Sequence, residues 1–452
     1  MKTAMLSLGF FAGVCLCGPD LVCSEINGST SFGVVDGIAA YSFGTTVCNI
    51  GDEPVEYDAN SNQHPLYAQS IYRLKDHRIE QIGIGFVRHT TVPLASNACG
   101  LGCTPAGFTA LGVGCSDSSS SSVNGVQGLM GPRTEVNAQT GAYPYPFTSI
   151  NQSGDAIYKR VQVDLADVSD PDALYFVETQ VIVPDEETAE ARNNNVSYRQ
   201  VQFAPGSASA TLVGPTYAQQ PAVFAWRDHG NGIGMADEGV LINEATIPHS
   251  DEVFVLASRV EELSQDLWRF DYAIYNMNGE RGIREIGISL PDGPDTFVLS
   301  TETKAPTYHS DLDDQILNTN WVTNPEYDGE LSTETYQVNP NANAVRWGTM
   351  YRLAFVIQTP LYCCSHTESV GIGFFGPNEP PFAEYGFTAY SPPHSDPSGC
   401  GQADLNQDSQ LNFFDVSLFL QDYNAGGDYN GDGSTNFFDV SAFLTDYNAG
   451  CQ

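Results

Sequence analysis

The chain has 452 residues and a formal net charge of −37, with 18 Lys and Arg against 55 Asp and Glu. That length, with 41% hydrophobic residues, is enough for two or three units with buried cores. The shortage of cations argues against nucleic acid and anionic membrane as partners, since both are recognised through basic patches.

In chain order, residues 1–17 read as a secretory signal. Lys2 precedes an apolar run from Ala4 to Cys17, and small residues at Cys15 and Cys17 offer cleavage positions, so the mature chain is expected to begin near Gly18. No later stretch reaches the roughly 18 apolar residues of a transmembrane segment. The expectation is therefore a secreted, extracellular protein. The remaining cysteines are Cys23, Cys48, Cys99, Cys103, Cys115, Cys363, Cys364, Cys400 and Cys451. In an oxidising compartment they form disulfides with one left over, in a connectivity that spacing leaves open. A zinc ligated by Cys99, Cys103 and Cys115 is the alternative.

Residues 18–375 read as a β-rich, β-sandwich-like body, either one unit or two divided near 205–222. Short strands are predicted at Ile82–Arg88, Leu174–Val183 and Val253–Ser258, with a polar helical turn near Asp185–Arg192. The Gly- and Ser-rich stretch Cys99–Gly128 reads as a surface excursion pinned by disulfides. Leu267–Tyr275 alternates, and Asn278-Gly279 then leads into Ile283–Leu290, a strand-turn-strand signal. Tyr351–Ile357 alternates again. Six prolines over 376–399 read as a linker, after which 400–452 has a different composition, with eight Asp and no Lys or Arg.

Residues 404–426 repeat as 428–450, with 16 of 23 positions identical. Each copy places oxygen-bearing residues at positions 1, 3, 5, 9 and 12 of a loop: Asp404, Asn406, Asp408, Asn412 and Asp415, then Asp428, Asn430, Asp432, Asn436 and Asp439. Backbone carbonyls of Gln410 and Ser434 stand at position 7. Ca2+ takes about six to eight oxygens, and a tightly turning loop gathers them from nearby residues, so two calcium sites are expected. Gly433 supplies the sharp turn at position 6 in the second copy. Ser409 in the first copy predicts the weaker site. Apolar residues then recur at helical spacing: Phe413, Val416, Phe419, Leu420 and Tyr423, with Phe437, Val440, Phe443, Leu444 and Tyr447 in the second copy.

With Asp rather than Glu at position 12 and no helix before either loop, this pattern resembles the dockerin family. The NFFDVS-x-FL blocks closed by Gly450-Cys451 resemble its GC-type variant. The resemblance covers about 50 of the 452 residues. It implies a small C-terminal α-helical, EF-hand-like attachment module and a cohesin-like or cell-surface protein partner. Phe413-Phe414 and Phe437-Phe438 stand where cellulosomal dockerins commonly carry small hydroxyl residues, which implies a divergent receptor that reads an aromatic patch. Cys400 and Cys451 bracket the module, and a disulfide between them would close it.

The body offers weaker chemical signals. His64, His89 and His309 are candidate metal ligands without ligand-like spacing, and Asp228-His229 is a candidate base or ligand in a Gly-rich turn. Cys115 lacks the elbow of a nucleophile. Two readings follow: a non-enzymatic structural or glycan-binding body carried by its dockerin, or a polysaccharide hydrolase or lyase working through paired carboxylates. The sequence favours the first.

Overall fold

The computed structural model describes residues 18–147, 153–204, 208–247, 250–290, 296–309, 315–324, 327–359, 367–377, 384–392, 403, 405, 411–425, 427, 429 and 434–450. Residues 1–17, read above as a secretory signal, and Cys363, Cys364, Cys400 and Cys451 lie outside them. The chain is mainly β, with two short helices at its C-terminal end.

The first sheet system comprises β1 (Leu21–Val35), β2 (Ile38–Asn49), β3 (Val55–Glu56), β4 (Leu66–Lys75), β5 (Arg78–His89), β6 (Ala110–Leu111), β7 (Ser116–Ser119), β8 (Met130–Gly131), β9 (Val161–Asp164), β10 (Leu174–Ile182), β11 (Val196–Phe203) and β12 (Ala210–Tyr217). Its main path runs β1-β2-β9-β5-β4-β10-β11-β12. This sheet is rolled. Its two ends meet where the Ile26 amide donates to Thr216 Oγ1 (3.0 Å) and Ser29 Oγ to the Ala210 carbonyl (2.6 Å). Three register shifts along β1 supply the bending, because a bulge raises local twist. Inside the roll lie Tyr41, Phe43, Tyr67, Val177 and Val201. Two disulfides, Cys48–Cys99 and Cys103–Cys115, pin the excursion after β5, part of which returns to pair with β2. The short helices α1 (Ser121–Asn124) and α2 (Ala189–Asn193) lie in this half.

After α3 (Ala225–His229), the second half builds β13 (Val240–Thr246), β14 (Val253–Ser264), β15 (Leu267–Asn276), β16 (Gly282–Gly287), β17 (Phe297–Lys304), β18 (Val322–Asn324), β19 (Tyr327–Ser332), β20 (Thr349–Gln358), β21 (Thr367–Phe375) and β22 (Glu384–Tyr390). One five-stranded sheet has the order β13-β14-β15-β20-β17 and the other β18-β19-β16-β21-β22. They face each other across Phe254, Leu256, Phe270, Ile286, Ile372 and Phe387, a sandwich core. The intervening residues of β14, Val253, Val255 and Ala257, point the other way and pack with Tyr72, Phe176 and Trp226 against the rolled sheet. Buried on both faces, β14 reads as a continuous apolar run.

Polar groups also bridge the two halves. Glu178 Oε1 accepts from the hydroxyls of Tyr72 (2.8 Å) and Tyr275 (3.1 Å), and Oε2 accepts from the Ala222 amide (2.7 Å). Arg352, 1% exposed, reaches Glu80 (3.1 Å) and Asp271 (3.0 Å). Burial alone would raise the Glu80 carboxyl, but Arg73 and Arg352 hold it below its ordinary value.

Two expectations are corrected. Asn278-Gly279 does not close a hairpin: β15 pairs with β14 and β20, and β16 belongs to the opposite sheet. Asn278 is buried, accepting from the Val253 amide and donating to Asn193, so the segment is an internal corner between sheets. The linker expected over 376–399 contains a strand, since β22 pairs with β21 through Tyr385, Phe387 and Ala389. Alternating apolar residues between the proline pairs outweigh the prolines.

Candidate functional site

The two C-terminal helices, α4 (Phe413–Ala425) and α5 (Phe437–Ala449), start at equivalent points of the repeat. Asn436 Oδ1 accepts from the Phe438 amide (2.8 Å), while Asp439 Oδ2 accepts from the Asn436 amide (2.7 Å), a reciprocal cap. Asn412 and Asp415 make the same bonds in the first copy, each at 2.8 Å. The inner faces meet through Phe419 and Phe443, with Val416, Val440, Tyr423 and Tyr447 around them. Gly450 follows α5 at φ 73°, a left-handed stop that suits glycine.

Asp415 and Asp439 are fully buried. Residues 400–452 contain no Lys or Arg to neutralise them, and their helix starts supply only partial positive charge. Buried carboxylate oxygens at the end of an Asp- and Asn-rich loop are the donor type that a hard divalent cation takes. Of the proposed ligands, Asn412, Asp415, Ser434, Asn436 and Asp439 stand at the loop-to-helix junctions. Asp404, Asn406, Asp408, Gln410, Asp428, Asn430 and Asp432 lie outside the described residues, as does the Cys400–Cys451 pair. Among the described residues no group of three His, Cys, Asp or Glu side chains gathers as a metal site. The aromatic pairs point outward: Phe413, Phe414, Phe437 and Phe438 are 75, 65, 74 and 67% exposed.

In the body, Cys99, Cys103 and Cys115 are committed to disulfides, so the zinc alternative loses its thiolates. His64 and His89 come together as the sequence did not suggest, with His64 Nε2 3.0 Å from His89 Nδ1 and Tyr143 packed against both. Burial lowers both, His89 to about 2, with the neighbouring His64 lowering it further. They are neutral interior rings. His309 lies apart, near Asp164, and burial lowers it too. His229 stacks on Phe176 (5.3 Å, 15°) and accepts from the Gly234 amide, which makes it a packed core ring rather than a base. Asp228 pairs with Arg227 (2.9 Å).

The feature that sequence reading missed is a trench on the outer face of the last sheet. Across four strands, Glu330 stands opposite Gly287, Gly287 opposite Gly371, and Gly371 opposite Gly386. Three adjacent strands thus carry no side chain at one level, leaving a trench of about 420 Å3. A Cβ at Gly287 would meet nothing within 4 Å, and one at Gly371 only the Gly287 carbonyl at 3.9 Å, so the floor there is backbone facing open space, whereas Ser369 Oγ lies over Gly386. Glu285, Ser369 and Tyr385 also line it. Glu285 lies one pair along from Glu330 on the same face, a diagonal of about 7–8 Å. Arg284 holds Glu285 (2.5 Å), and Asn324 donates to Glu330 (3.0 Å). Such a groove offers carboxylate, hydroxyl and carbonyl acceptors, a surface suited to an extended polyhydroxyl chain, while the Tyr385 ring packs inward on Phe387 and the sandwich core. A search with protein-family models and a search of curated proteins both find no match for this chain.

Proposed function

We propose that this is a secreted protein whose C-terminal module is a two-calcium dockerin that attaches it to a cohesin-like or cell-surface protein, while its β-rich body binds a polysaccharide in the glycine-floored trench. The observation that carries the reading is the duplicated junction. At each helix start an exposed Phe-Phe pair immediately precedes a fully buried Asp. Calcium bound there would brace the helix starts that present the aromatic pairs. The disulfides are compatible with an extracellular setting, and no helix of the described residues is long and apolar enough to cross a membrane.

The test uses the full chain, immobilised with calcium or with chelator and exposed to surface proteins of the source organism and to a polysaccharide panel. Calcium-dependent capture of one surface protein, lost when the four Phe are replaced by Ser, supports the attachment. Capture indifferent to calcium and to the Phe pairs refutes it. A second reading, a polysaccharide hydrolase or lyase, is prompted by Glu285 and Glu330, which the register places diagonally on one face of the trench and which would supply the two carboxylates such chemistry uses. Release of oligosaccharide that disappears in both Glu285→Gln and Glu330→Gln would establish it over simple binding.

A further inference from the structure

The loop between β10 and β11 opens on Asp185-Glu186-Glu187 and closes on Asn193-Asn194-Asn195, with α2 between the two triplets. It folds against the start of β1. Asp20 and Glu186 are each 1% exposed, and Asn195 is 2% exposed. Glu186 Oε1 accepts from the Leu21 amide (2.8 Å) and Oε2 from Asn195 Nδ2 (2.6 Å). Asn194 Nδ2 donates to both oxygens of Asp20 (3.2 Å each), and Asp185 Oδ2 accepts from the Glu56 amide (2.8 Å). Three more oxygens of the cluster, Asp185 Oδ1, Asn194 Oδ1 and Asn195 Oδ1, are buried without a hydrogen-bond partner in the protein.

All three are acceptors, so they call for a donor or for a cation. Charge decides between these. Among the described residues no Lys, Arg or His side chain forms an ion pair with Asp20, Asp185 or Glu186, and Glu56 adds to the negative potential at Asp185. Arg192 turns its Nε to the Glu186 backbone carbonyl (2.9 Å). Counting its charge in full still leaves an excess of two negative charges on the three carboxylates. Burying carboxylates without a counter-charge is costly, and a bridging water would satisfy acceptors while leaving that excess in place.

The spacing suits a cation. Asn195 Oδ1 is bonded to the same carbon as the Nδ2 that touches Glu186, so it lies within about 5 Å of Glu186 Oε2, the span of two oxygens that share one calcium ion. The carboxyl groups alone do not gather as a metal site, so the amide oxygens are needed to complete it. A set of carboxylate and amide oxygens with no nitrogen or sulfur ligand selects calcium over zinc.

We propose that this cluster is a structural calcium site, separate from the C-terminal repeat, in which Asp185, Glu186 and Asn195 supply ligands, Asp20 and Asn194 flank them, and the ion ties the start of β1 to the β10–β11 loop.

The experiment counts calcium bound to the full chain by equilibrium dialysis and follows thermal unfolding in calcium and in chelator. A crystal soaked in terbium, which takes the oxygen ligands of calcium, supplies the position. Asp185→Asn keeps an acceptor for the Glu56 amide and removes one charge. It should lower the count by one whatever the repeat binds, weakening this site at least about tenfold. Its midpoint should be no lower than the parent's in chelator, where repulsion has been relieved, and lower than the parent's in calcium. A merely structural role for Asp185 would lower both. The terbium map should show an anomalous peak between Asp185 and Asn195, and it decides alone if Asp185→Asn fails to fold. An Asp185→Asn chain that binds as many ions as the parent, or a map with no peak there, overturns the proposal in favour of a proton on Glu186, whose carboxyl burial pushes well above its ordinary value.

Discussion

Phe419 and Phe443 stack face to face, centroids 4.1 Å apart and planes within 6°. They are the same residue of the two repeat copies, so each helix buries against its own image and neither has a core without the other. Replacing Phe443 by Ala should cost about 3–5 kcal/mol and melt both helices together. Far-ultraviolet circular dichroism of the full chain, where helix is scarce, checks this. Loss of one helix only would be the contrary result.

Under the proposed two-calcium reading of the C-terminal repeat, titration of the full chain is expected to show two ions bound there, and Asp439→Ala one, because the carboxylate that caps α5 would also be a ligand of the second site. The remaining ion should be the weaker of the two, since Ser409 stands where the second loop has Gly433. An Asp439→Ala chain that binds as many ions as the parent would remove this carboxylate from the ligand set.

Gly287→Leu places a side chain on the trench floor, where a Cβ meets nothing within 4 Å. It should lower affinity for the bound polysaccharide at least about tenfold while leaving the unfolding midpoint unchanged, as affinity electrophoresis and calorimetry would report. Unaltered retention would locate the glycan elsewhere.

The His64–His89 pair makes stability fall in acid. Both folded-state values lie below the ordinary 6.5, so the unfolded chain takes up protons first as pH drops. The stabilisation is complete above about pH 6.5 and declines below it by up to about 1.4 kcal/mol per pH unit for each ring. For His89 the decline continues towards its folded value of about 2. Urea titrations at pH 7, 6 and 5 should show a shallower decline in His89→Phe than in the parent chain.

Glu178→Ala would strand two tyrosine hydroxyls and the Ala222 amide in the interior between the two halves. The expected cost is about 3 kcal/mol or more, felt as one lowered transition of the whole body in denaturant titration. Two separated transitions would mean that the halves are not coupled through this contact.

Much of this architecture was legible locally. Apolar and aromatic runs located β10, β15 and β20 within a residue or two, because all three are buried on both faces along most of their length. The two C-terminal helices were legible because helical period acts within a dozen or so residues. The His64–His89 contact was not. It depends on the β4–β5 hairpin, whose turn uses Asp76 and His77 at positive φ (49° and 56°) rather than a Gly-bearing pair, and on two register shifts along the ladder. The trench was also illegible. Gly287, Gly371 and Gly386 come from three strands, and only the register of the finished sheet aligns them. Asn278-Gly279 misled because the same residues that favour a hairpin also make a corner when their amides find buried partners.

β22 is the edge strand of the last sheet, pairs with β21, and contributes Gly386 to the trench floor. Among the described residues it is also the last strand before the C-terminal helices. Tension on an anchored module would therefore be delivered first to this strand. Under the proposed function, attachment and glycan binding would be mechanically in series, and a pull strong enough to peel β22 from β21 would open the trench before the rest of the body yields.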